Sequence, residues 1–270
     1  MDSLWQTKKV YLFLILGSFF IANAIIAEFI GVKIFSLEQT LGITNFGFSF
    51  FGQGPFSLNL TAGVLLWPFV FVMTDIINEY FGRRGVRFFS YLAVVLIGYA
   101  FFAVFAAVRV SPADFWVMQP TNPYQPKEMM NMQMAFSKIF GQGMWIIVGS
   151  LVAFLVGQLV DVAVFHRIKQ ISGDGMVWFR STGSTLVSQF LDSFVVLFIA
   201  FYLGSDWSLS LVLAVGMVNY GYKFVVALLM TPLIYVAHYA IDRYLGEALS
   251  SQMKQEAMGR LAPKREEFLQ

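Results

Sequence analysis

Residues 64–84 have the sequence VLLWPFVFVMTDIINEYFGRR, an apolar run that contains two carboxylates four residues apart, Asp75 and Glu79. The start of the run is apolar on every side, whereas a helix on the surface of a soluble protein keeps a polar face. Residues four apart lie on the same face of a helix, and Asn78 lies beside them. The segment therefore predicts a membrane helix with a polar stripe.

The composition shows that such apolar runs extend over the chain. Of its 270 residues, 58% are hydrophobic and 13% are charged, whereas a soluble domain has about 25% charged residues. The apolar residues fall in blocks of about 20, the length that spans a bilayer as a helix. We therefore expect an all-α integral membrane protein with a single transmembrane domain over residues 1–270. Its six predicted helices lie at about residues 10–30, 61–81, 88–108, 144–165, 183–203 and 209–238, and residues 239–270 form a tail.

The basic residues predict the orientation of these helices, because Lys and Arg concentrate in cytoplasmic connections. Near the predicted helix ends, thirteen fall on one side and four on the other. The thirteen are Lys8, Lys9, Arg83, Arg84, Arg87, Arg167, Lys169, Arg180, Arg243, Lys254, Arg260, Lys264 and Arg265, and the four are Lys33, Arg109, Lys127 and Lys138. Both termini and the tail are therefore expected in the cytoplasm.

The first segment has a second interpretation, a cleaved signal peptide. Lys8 and Lys9 precede an apolar run, and the ANA at residues 22–24 resembles a cleavage site. The apolar run continues to Ile30, which is too long for a signal-peptide core. We favour a retained helix, and cleavage would leave the later orientation unchanged.

Two long outer connections carry local patterns. Phe46, Phe48 and Phe50 alternate with small residues, a period that is typical of a short strand or β-hairpin. The alternative, which we favour, is a surface loop that places its aromatic rings in the membrane interface. The second outer connection predicts an interfacial helix at about residues 127–140.

Small residues recur every four positions in the fourth predicted helix, at Gly149, Ala153 and Gly157. Small residues at this spacing let two helices approach closely. The pattern does not name the partner helix, and a homodimer through this face is one expectation.

Polar residues recur inside four of the predicted helices. A charge inside the membrane costs about 2.5–3.5 kcal/mol on insertion scales. Gln158 with Asp161, and Gln189 with Asp192, are each three residues apart, so the members of each pair face the same way. Asn219 and Lys223 lie one turn apart in the last helix. These residues predict a polar cavity in the bundle that receives a polar ligand.

Two interpretations without a ligand stay open. Glu79 lies four residues before Arg83, so the two can form an ion pair at the cytoplasmic end of their helix. Lys223 can neutralise Asp192 or Asp161 as a structural pair.

Catalysis and nucleic-acid binding have little support. His166 and His238 lie near helix ends without Cys or clustered His partners, and there is no HExxH, Gly-x-Ser-x-Gly or phosphate-loop motif. Cysteine is absent, so there is no thiolate site. No basic run resembles a nucleic-acid patch. We expect a protein that is not an enzyme, uses no metal or cofactor and does not bind nucleic acid.

Four stretches, taken together, resemble the bacterial queuosine precursor transporter family, also called vitamin-uptake-type transporters. They are PFVFVMTDIINEYFGRR (68–84), GQLVDVAVFHRIK (157–169), WFRSTGSTLVSQFLDSFVVLFIAF (178–201) and YGYKFVVALLMTPLIYVA (220–237). The chain departs from the family pattern at Ser181 and Thr182, where Asn residues usually follow the arginine. Its Phe-rich outer connection is also longer than is typical.

The resemblance implies import of a 7-deazaguanine, such as 7-cyano-7-deazaguanine or its aminomethyl relative, across a bacterial inner membrane. One carboxylate can accept hydrogen bonds from both the N–H and the exocyclic amine of such a base. The alternative is a substrate-binding membrane subunit of an ATPase-driven uptake system. The candidate substrate-binding residues are Asp75, Glu79, Gln158, Asp161, Arg180, Ser184, Gln189, Asp192, Asn219 and Lys223.

Overall fold

The computed structural model describes residues 2–44, 47–122, 125–141, 143–172 and 176–259, most of which are helical. The first elements are α1 (Asp2–Ile30), β1 (Ile34–Ser36), α2 (Leu37–Leu41), β2 (Phe48–Phe50), β3 (Gln53–Phe56), β4 (Asn59–Thr61), a 3₁₀ turn (Ala62–Leu65) and α3 (Trp67–Arg109). They are followed by α4 (Asp114–Val117), β5 (Met118–Asn122), β6 (Gln125–Asn131), α5 (Met132–Phe140), α6 (Met144–Ser172), α7 (Val177–Leu197), a π-helical turn (Phe198–Leu203), α8 (Leu209–Leu245) and α9 (Glu247–Ala257).

Five helical stretches in the described residues are long and apolar enough to cross a membrane. They are Thr7–Ile30, Trp67–Arg109, Met132–Ser172, Trp178–Leu203 and Leu209–Leu245. The chain is therefore a helical, multi-pass membrane protein. Five stretches are found where six helices were predicted because the second and third predictions both fall within α3, which is 43 residues long.

Helix α3 is interrupted at Gly82, which has φ 66° and ψ −170°. Gly85 lies eight residues after Ile77, and a continuous helix would rise about 12 Å over that length. A Cβ atom placed on Gly85 would nevertheless lie only 3.3 Å from Cγ2 of Ile77. The chain therefore turns back at Gly82, so residues 67–81 and 83–109 are two helices. The prediction placed a longer connection between residues 81 and 88. One glycine suffices because its dihedral angles lie in a region that is essentially restricted to glycine.

Four helices reach further than hydropathy predicted, and the first of them, α1, begins at Asp2 instead of residue 10. The structure extends α6 from residue 165 to Ser172, starts α7 at Val177 instead of residue 183, and extends α8 from residue 238 to Leu245. The added turns carry Lys169 and Arg180, which form buried ion pairs, and Asp242, which forms a partly exposed ion pair with Lys254. A hydropathy pattern ends at such charges because it contains no information about their partners.

The second predicted helix starts later than expected, at Trp67 instead of residue 61. Residues 59–61 form β4, which pairs antiparallel with β1. In the same outer connection, β2 pairs antiparallel with β3, and Phe46 lies outside the described residues. In the second outer connection β5 pairs with β6, so the helix predicted for residues 127–140 begins only at Met132.

The two ends of the described chain lie at the same end of the bundle. Lys8 Nζ donates to the carbonyl of Tyr244 over 2.8 Å, and Lys9 Nζ lies 3.5 Å from Glu256 Oε2. A Cβ atom on Gly82 would lie 3.0 Å from the carbonyl oxygen of Ala257, so α9 packs against the turn of α3. The start of α1, the Gly82 turn and α9 therefore meet.

The small-residue face of α6 packs against α7 of the same chain. A Cβ atom on Gly149 would lie 3.2 Å from the carbonyl oxygen of Val196, and one on Gly157 would lie 3.7 Å from Cβ of Asp192. Close approach between helices is what such residues allow. This face of α6 is therefore occupied by α7 of the same chain. The homodimer stays a prediction.

Candidate functional site

The polar stripe of α3 is buried. Thr74, Asp75, Asn78 and Glu79 are each at most 1% exposed, so their polar atoms depend on partners from other helices. Two of these contacts reach α6: Thr74 Oγ1 donates to Gln158 Oε1 over 2.8 Å, and Asn78 Oδ1 lies 2.7 Å from Nε2 of His166. The stripe therefore faces the interior of the bundle.

Glu79 is held between two cations. Its Oε2 lies 2.9 Å from Nζ of Lys169 on α6, and its Oε1 accepts from Nη2 of Arg180 on α7 over 2.9 Å. All three side chains are at most 2% exposed. This arrangement, here called the ion triad, joins the first half of α3, next to the Gly82 turn, to α6 and α7. It lies toward the inner end of the bundle, where inner means the end at which the termini lie.

The predicted ion pair between Glu79 and Arg83 is wrong. Arg83 is exposed, while Glu79 points to Lys169 and Arg180. The i, i+4 geometry requires a continuous helix, and the non-helical Gly82 lies between the two residues. Both of the partners that replace Arg83 come from other helices.

Asp75 lies one turn above the ion triad, in different surroundings. Ser181 of α7 donates to its Oδ2, and its Oδ1 has no hydrogen-bond partner among the described residues. No described Lys or Arg nitrogen lies within 4 Å of this carboxylate. Asp75 is therefore a buried carboxylate whose Oδ1 can accept a further hydrogen bond.

Asp161 of α6 interacts electrostatically with Asp75. Ser188 Oγ donates to its Oδ1 over 3.2 Å, and the hydroxyls of Ser184 and Thr185 are near the carboxylate. Its Oδ2 makes no hydrogen bond in the part of the chain that the structure describes. Ser181, Ser184 and Ser188 share one face of α7 because they are spaced by three and four residues.

A cavity opens beside Asp75, with an empty volume of about 530 Å³ that includes space open to the outside. Its lining comes from α3, α7, α8 and the 3₁₀ turn. The polar members of the lining are Asp75, Thr182, Thr185, Gln189, Tyr222 and Lys223, and the apolar members are Val64, Trp67, Pro68, Phe71, Val72, Val226, Ala227, Met230 and Ile234. Ligand cavities commonly combine such a mostly apolar wall with a few convergent polar groups.

Gln189 adds a second unused group to the cavity wall. Its Nε2 has no hydrogen-bond partner among the described residues, and its side chain is buried. An amide can present either its oxygen or its NH₂ group to a ligand. Asp75 and Gln189 thus supply acceptors and a donor on opposite helices.

Lys223 lines the same cavity and pairs with Asp192, which agrees with one of the structural interpretations above. Its Nζ donates to Asp192 Oδ2, and both side chains are about one-fifth exposed (18% and 20%). The pair is neutral as a whole, but it remains accessible from the cavity through Lys223.

Nine of the ten predicted residues divide into three groups, and Asn219 belongs to none of them. Asp75, Gln189 and Lys223 line the cavity. Gln158, Asp161, Ser184 and Asp192 do not line it but lie in the polar layer behind it. Glu79 and Arg180 belong to the ion triad, and Asn219 is absent from both the lining and the ion triad.

The sequence interpretation missed several residues. Lys169 was counted only as a basic residue of a connection, and Trp67, Thr182 and Tyr222 were not named as site residues, although Thr182 was noted as a departure from the family pattern. In so hydrophobic a chain, the sequence does not distinguish the apolar and aromatic residues of a cavity wall from the other hydrophobic residues. For Lys169, the signal was its place within the same motif as Gln158 and Asp161.

Chemically, this arrangement offers hydrogen-bonding groups and aromatic surface to a ligand. Among the described residues there is no group of three or more His, Cys, Asp or Glu side chains that could hold a metal ion. Asp75 can accept hydrogen bonds from two donors side by side. Trp67, Phe71 and Tyr222 supply aromatic surface on the same cavity.

Comparisons with known proteins show which family the chain is similar to. Residues 61–237 match the family model described as "Putative vitamin uptake transporter". A protein of Bacillus subtilis (strain 168) named "Probable queuosine precursor transporter" is 31% identical over 186 residues, which cover 67% of this chain and 73% of that protein. One of the same name from Haemophilus influenzae is 28% identical over 72% of each chain.

The "Queuosine precursor transporter" of Escherichia coli (strain K12) is 27% identical over 149 residues, which cover 54% of this chain and 57% of that protein. No solved structure matches the chain. The matched region contains both the cavity and the ion triad, and the resemblance drawn from the four sequence stretches is confirmed. The chain belongs to the vitamin uptake transporter family, whose model matches well over half of its length.

Proposed function

We propose that this protein imports a queuosine precursor, a base of the 7-deazaguanine type, into the cytoplasm. Three relatives that carry the name queuosine precursor transporter support this proposal. The observation that carries it is Asp75, which lines the cavity and whose buried Oδ1 has no hydrogen-bond partner among the described residues.

The proposed contacts follow from the edge of the base. A guanine-like ring presents an N–H and an exocyclic amine side by side, and the Asp75 carboxylate can accept both. Gln189 can donate to the carbonyl of the base or accept from a ring N–H. Trp67, Phe71 and Tyr222 form the walls against which a flat ring can pack.

The topology proposed for this function has six membrane crossings with both termini in the cytoplasm, in the inner membrane of a bacterium. The reversal at Gly82 supports the count, because it divides α3 into two helices. The meeting of the start of α1 with α8 and α9 supports an even number of crossings. The excess of basic residues at this end supports its cytoplasmic side.

Two measurements on the purified chain test the function. In a thermal melt, 7-cyano-7-deazaguanine should raise the melting temperature, and adenine should raise it much less at equal concentration. Adenine offers a ring acceptor where the guanine-like base offers N–H, so a carboxylate oxygen would face a lone pair. Leaving such a buried group without its partner costs about 1–3 kcal/mol.

The second measurement is uptake by vesicles that contain only this chain. A carrier should exchange labelled 7-cyano-7-deazaguanine without ATP or another protein, whereas a binding subunit of an ATPase-driven system would not. Equal stabilisation by adenine and the deazaguanine would refute the proposed substrate.

A further inference from the structure

The charges buried among α3, α6 and α7 do not balance. Among the described residues, three carboxylates that are at most 1% exposed, Asp75, Glu79 and Asp161, face two buried cations, Lys169 and Arg180. One negative charge is therefore in excess. Burying an ionised carboxylate without compensation is so costly that such a group usually binds a proton instead.

The excess is located at Asp75 and Asp161. Both cations contact Glu79 at 2.9 Å, whereas no described Lys or Arg nitrogen lies within 4 Å of the other two carboxylates. Each of the two accepts a hydrogen bond from one serine of α7 and keeps one oxygen without a hydrogen bond in the described residues. Serine hydroxyls do not supply the missing charge.

The charged groups on neighbouring elements do not remove the excess. On α8, Lys223 pairs with Asp192 of α7, so these two cancel. On α1, Glu28 is a further buried carboxylate, which accepts from Ser150, and it increases the negative charge. His166 on α6 contacts Asn78, and the ring of His238 on α8 is 5.7 Å from that of Tyr80. The Asp242–Lys254 pair of α8 and α9 lies near His238 and cancels, and Arg83, near His166, is exposed.

We propose that the carrier takes in one proton with each molecule of a neutral substrate, and that Asp161 holds the proton. This inference rests on the proposed function. Asp75 lines the cavity, where an ionised carboxylate is needed to accept hydrogen bonds from the base. Asp161 is 0% exposed and lies outside the cavity lining, beside Asp75, so it can be protonated without losing a substrate contact.

Coupling follows from displacement of water. In the open carrier, water in the cavity can solvate Asp75, and the excess charge is tolerated. A flat neutral base displaces this water and supplies donors but no charge, so one proton is needed before the loaded site can close. The proton enters with the base from outside and leaves Asp161 when the site opens to the cytoplasm.

The test uses the purified full chain in vesicles with labelled 7-cyano-7-deazaguanine outside. A pH gradient with the more acidic side outside should drive accumulation above the external concentration, and a protonophore should abolish it. Accumulation that does not depend on the pH gradient, or that depends on a sodium gradient instead, would overturn the proposal.

A variant pair tests the assignment to Asp161. Asp161→Asn should keep exchange of labelled for unlabelled base but lose accumulation driven by the pH gradient. The control is Asp206→Asn, the same change at an exposed position of an outer connection, which should accumulate like the wild type. Gradient-driven accumulation by Asp161→Asn would show that another group holds the proton.

Two further observations keep the outcomes distinct. If Asp161→Asn does not fold, Ser188→Ala replaces it. Ser188→Ala removes the hydroxyl that donates to the ionised Asp161 carboxylate, so Asp161 should bind its proton at higher pH and uptake should extend to more alkaline pH. An unchanged pH profile of uptake would count against Asp161. If the wild type neither binds nor exchanges the base, the proposed function itself fails. Exchange without any dependence on protons refutes the coupling alone.

Discussion

Asp75 and Glu79 lie one turn apart on the same helix face, yet their surroundings differ in kind. Glu79 contacts two cations from two other helices, at 2.9 Å each, and is at most 1% exposed. Asp75 is equally buried and lines the cavity, but it accepts from one serine hydroxyl, and its Oδ1 has no hydrogen-bond partner among the described residues. Two carboxylates of the same stripe therefore differ in their surroundings: one pairs with cations of two other helices, and the other lines the cavity in which we propose that the ligand binds.

The difference shows how burial should be interpreted in a membrane protein. Removing one partner of a buried ion pair is strongly destabilising because it leaves an uncompensated charge. Removing a charge that is already uncompensated carries no such penalty and can stabilise the fold. The same chemical change, carboxylate to amide, should therefore have opposite effects at positions four residues apart.

The largest expected effect is that of Glu79→Gln. The amide leaves Lys169 and Arg180 as buried cations without their carboxylate, which should destabilise the protein by about 3–5 kcal/mol. A thermal melt in detergent measures the change. The double variant with Lys169→Gln should recover part of the loss, and a Glu79→Gln protein with wild-type melting behaviour would refute the ion triad as a joint between helices.

A smaller effect is expected for Gly82→Ala, at the turn beneath the ion triad. Alanine is strained at φ 66° and ψ −170°, at a cost of about 1–3 kcal/mol, and its Cβ would lie 3.0 Å from the Ala257 carbonyl oxygen. The control is Gly98→Ala, where a Cβ meets nothing within 4 Å. Equal melting temperatures for the two variants would contradict the sharp reversal of α3.

The smallest effect on folding, with the largest effect on binding, is expected for Asp75→Asn. Its melting temperature without ligand should equal or exceed that of the wild type, because a buried charge is removed. Stabilisation by 7-cyano-7-deazaguanine should weaken, since an NH₂ group replaces an acceptor and costs about 1–3 kcal/mol of binding. Asp206→Asn should bind normally, and normal affinity in folded Asp75→Asn would remove Asp75 from the binding site.

Much of this molecule could be predicted from its sequence. Blocks of about 20 apolar residues require membrane helices, because a backbone in hydrocarbon must satisfy its own hydrogen bonds. The polar stripe of Asp75, Asn78 and Glu79 follows from helical periodicity alone, and the structure buries all three residues. The resemblance of four stretches to one transporter family also required no coordinates.

Helix ends and ion-pair partners were predicted less well, for related reasons. The extra turns of α6, α7 and α8 carry charged residues that hydropathy assigns to water. Lys169 and Arg180 remain inside because their partner comes from elsewhere in the chain: Lys169 lies 90 positions after Glu79, and Arg180 lies 101 positions after it. No local window contains both members of such a pair.

The sequence by itself determined which segments are apolar and which side chains share a helix face, since both depend on spacing within about 20 residues. Only the tertiary structure decided how each carboxylate is compensated. The reversal at Gly82 removed Arg83 from Glu79 and left α6 and α7 to supply its cations. The same packing gave Asp75 a serine and a cavity instead of a cation, because a charge inside the membrane is stabilised by whichever groups the fold brings within a few ångströms of it.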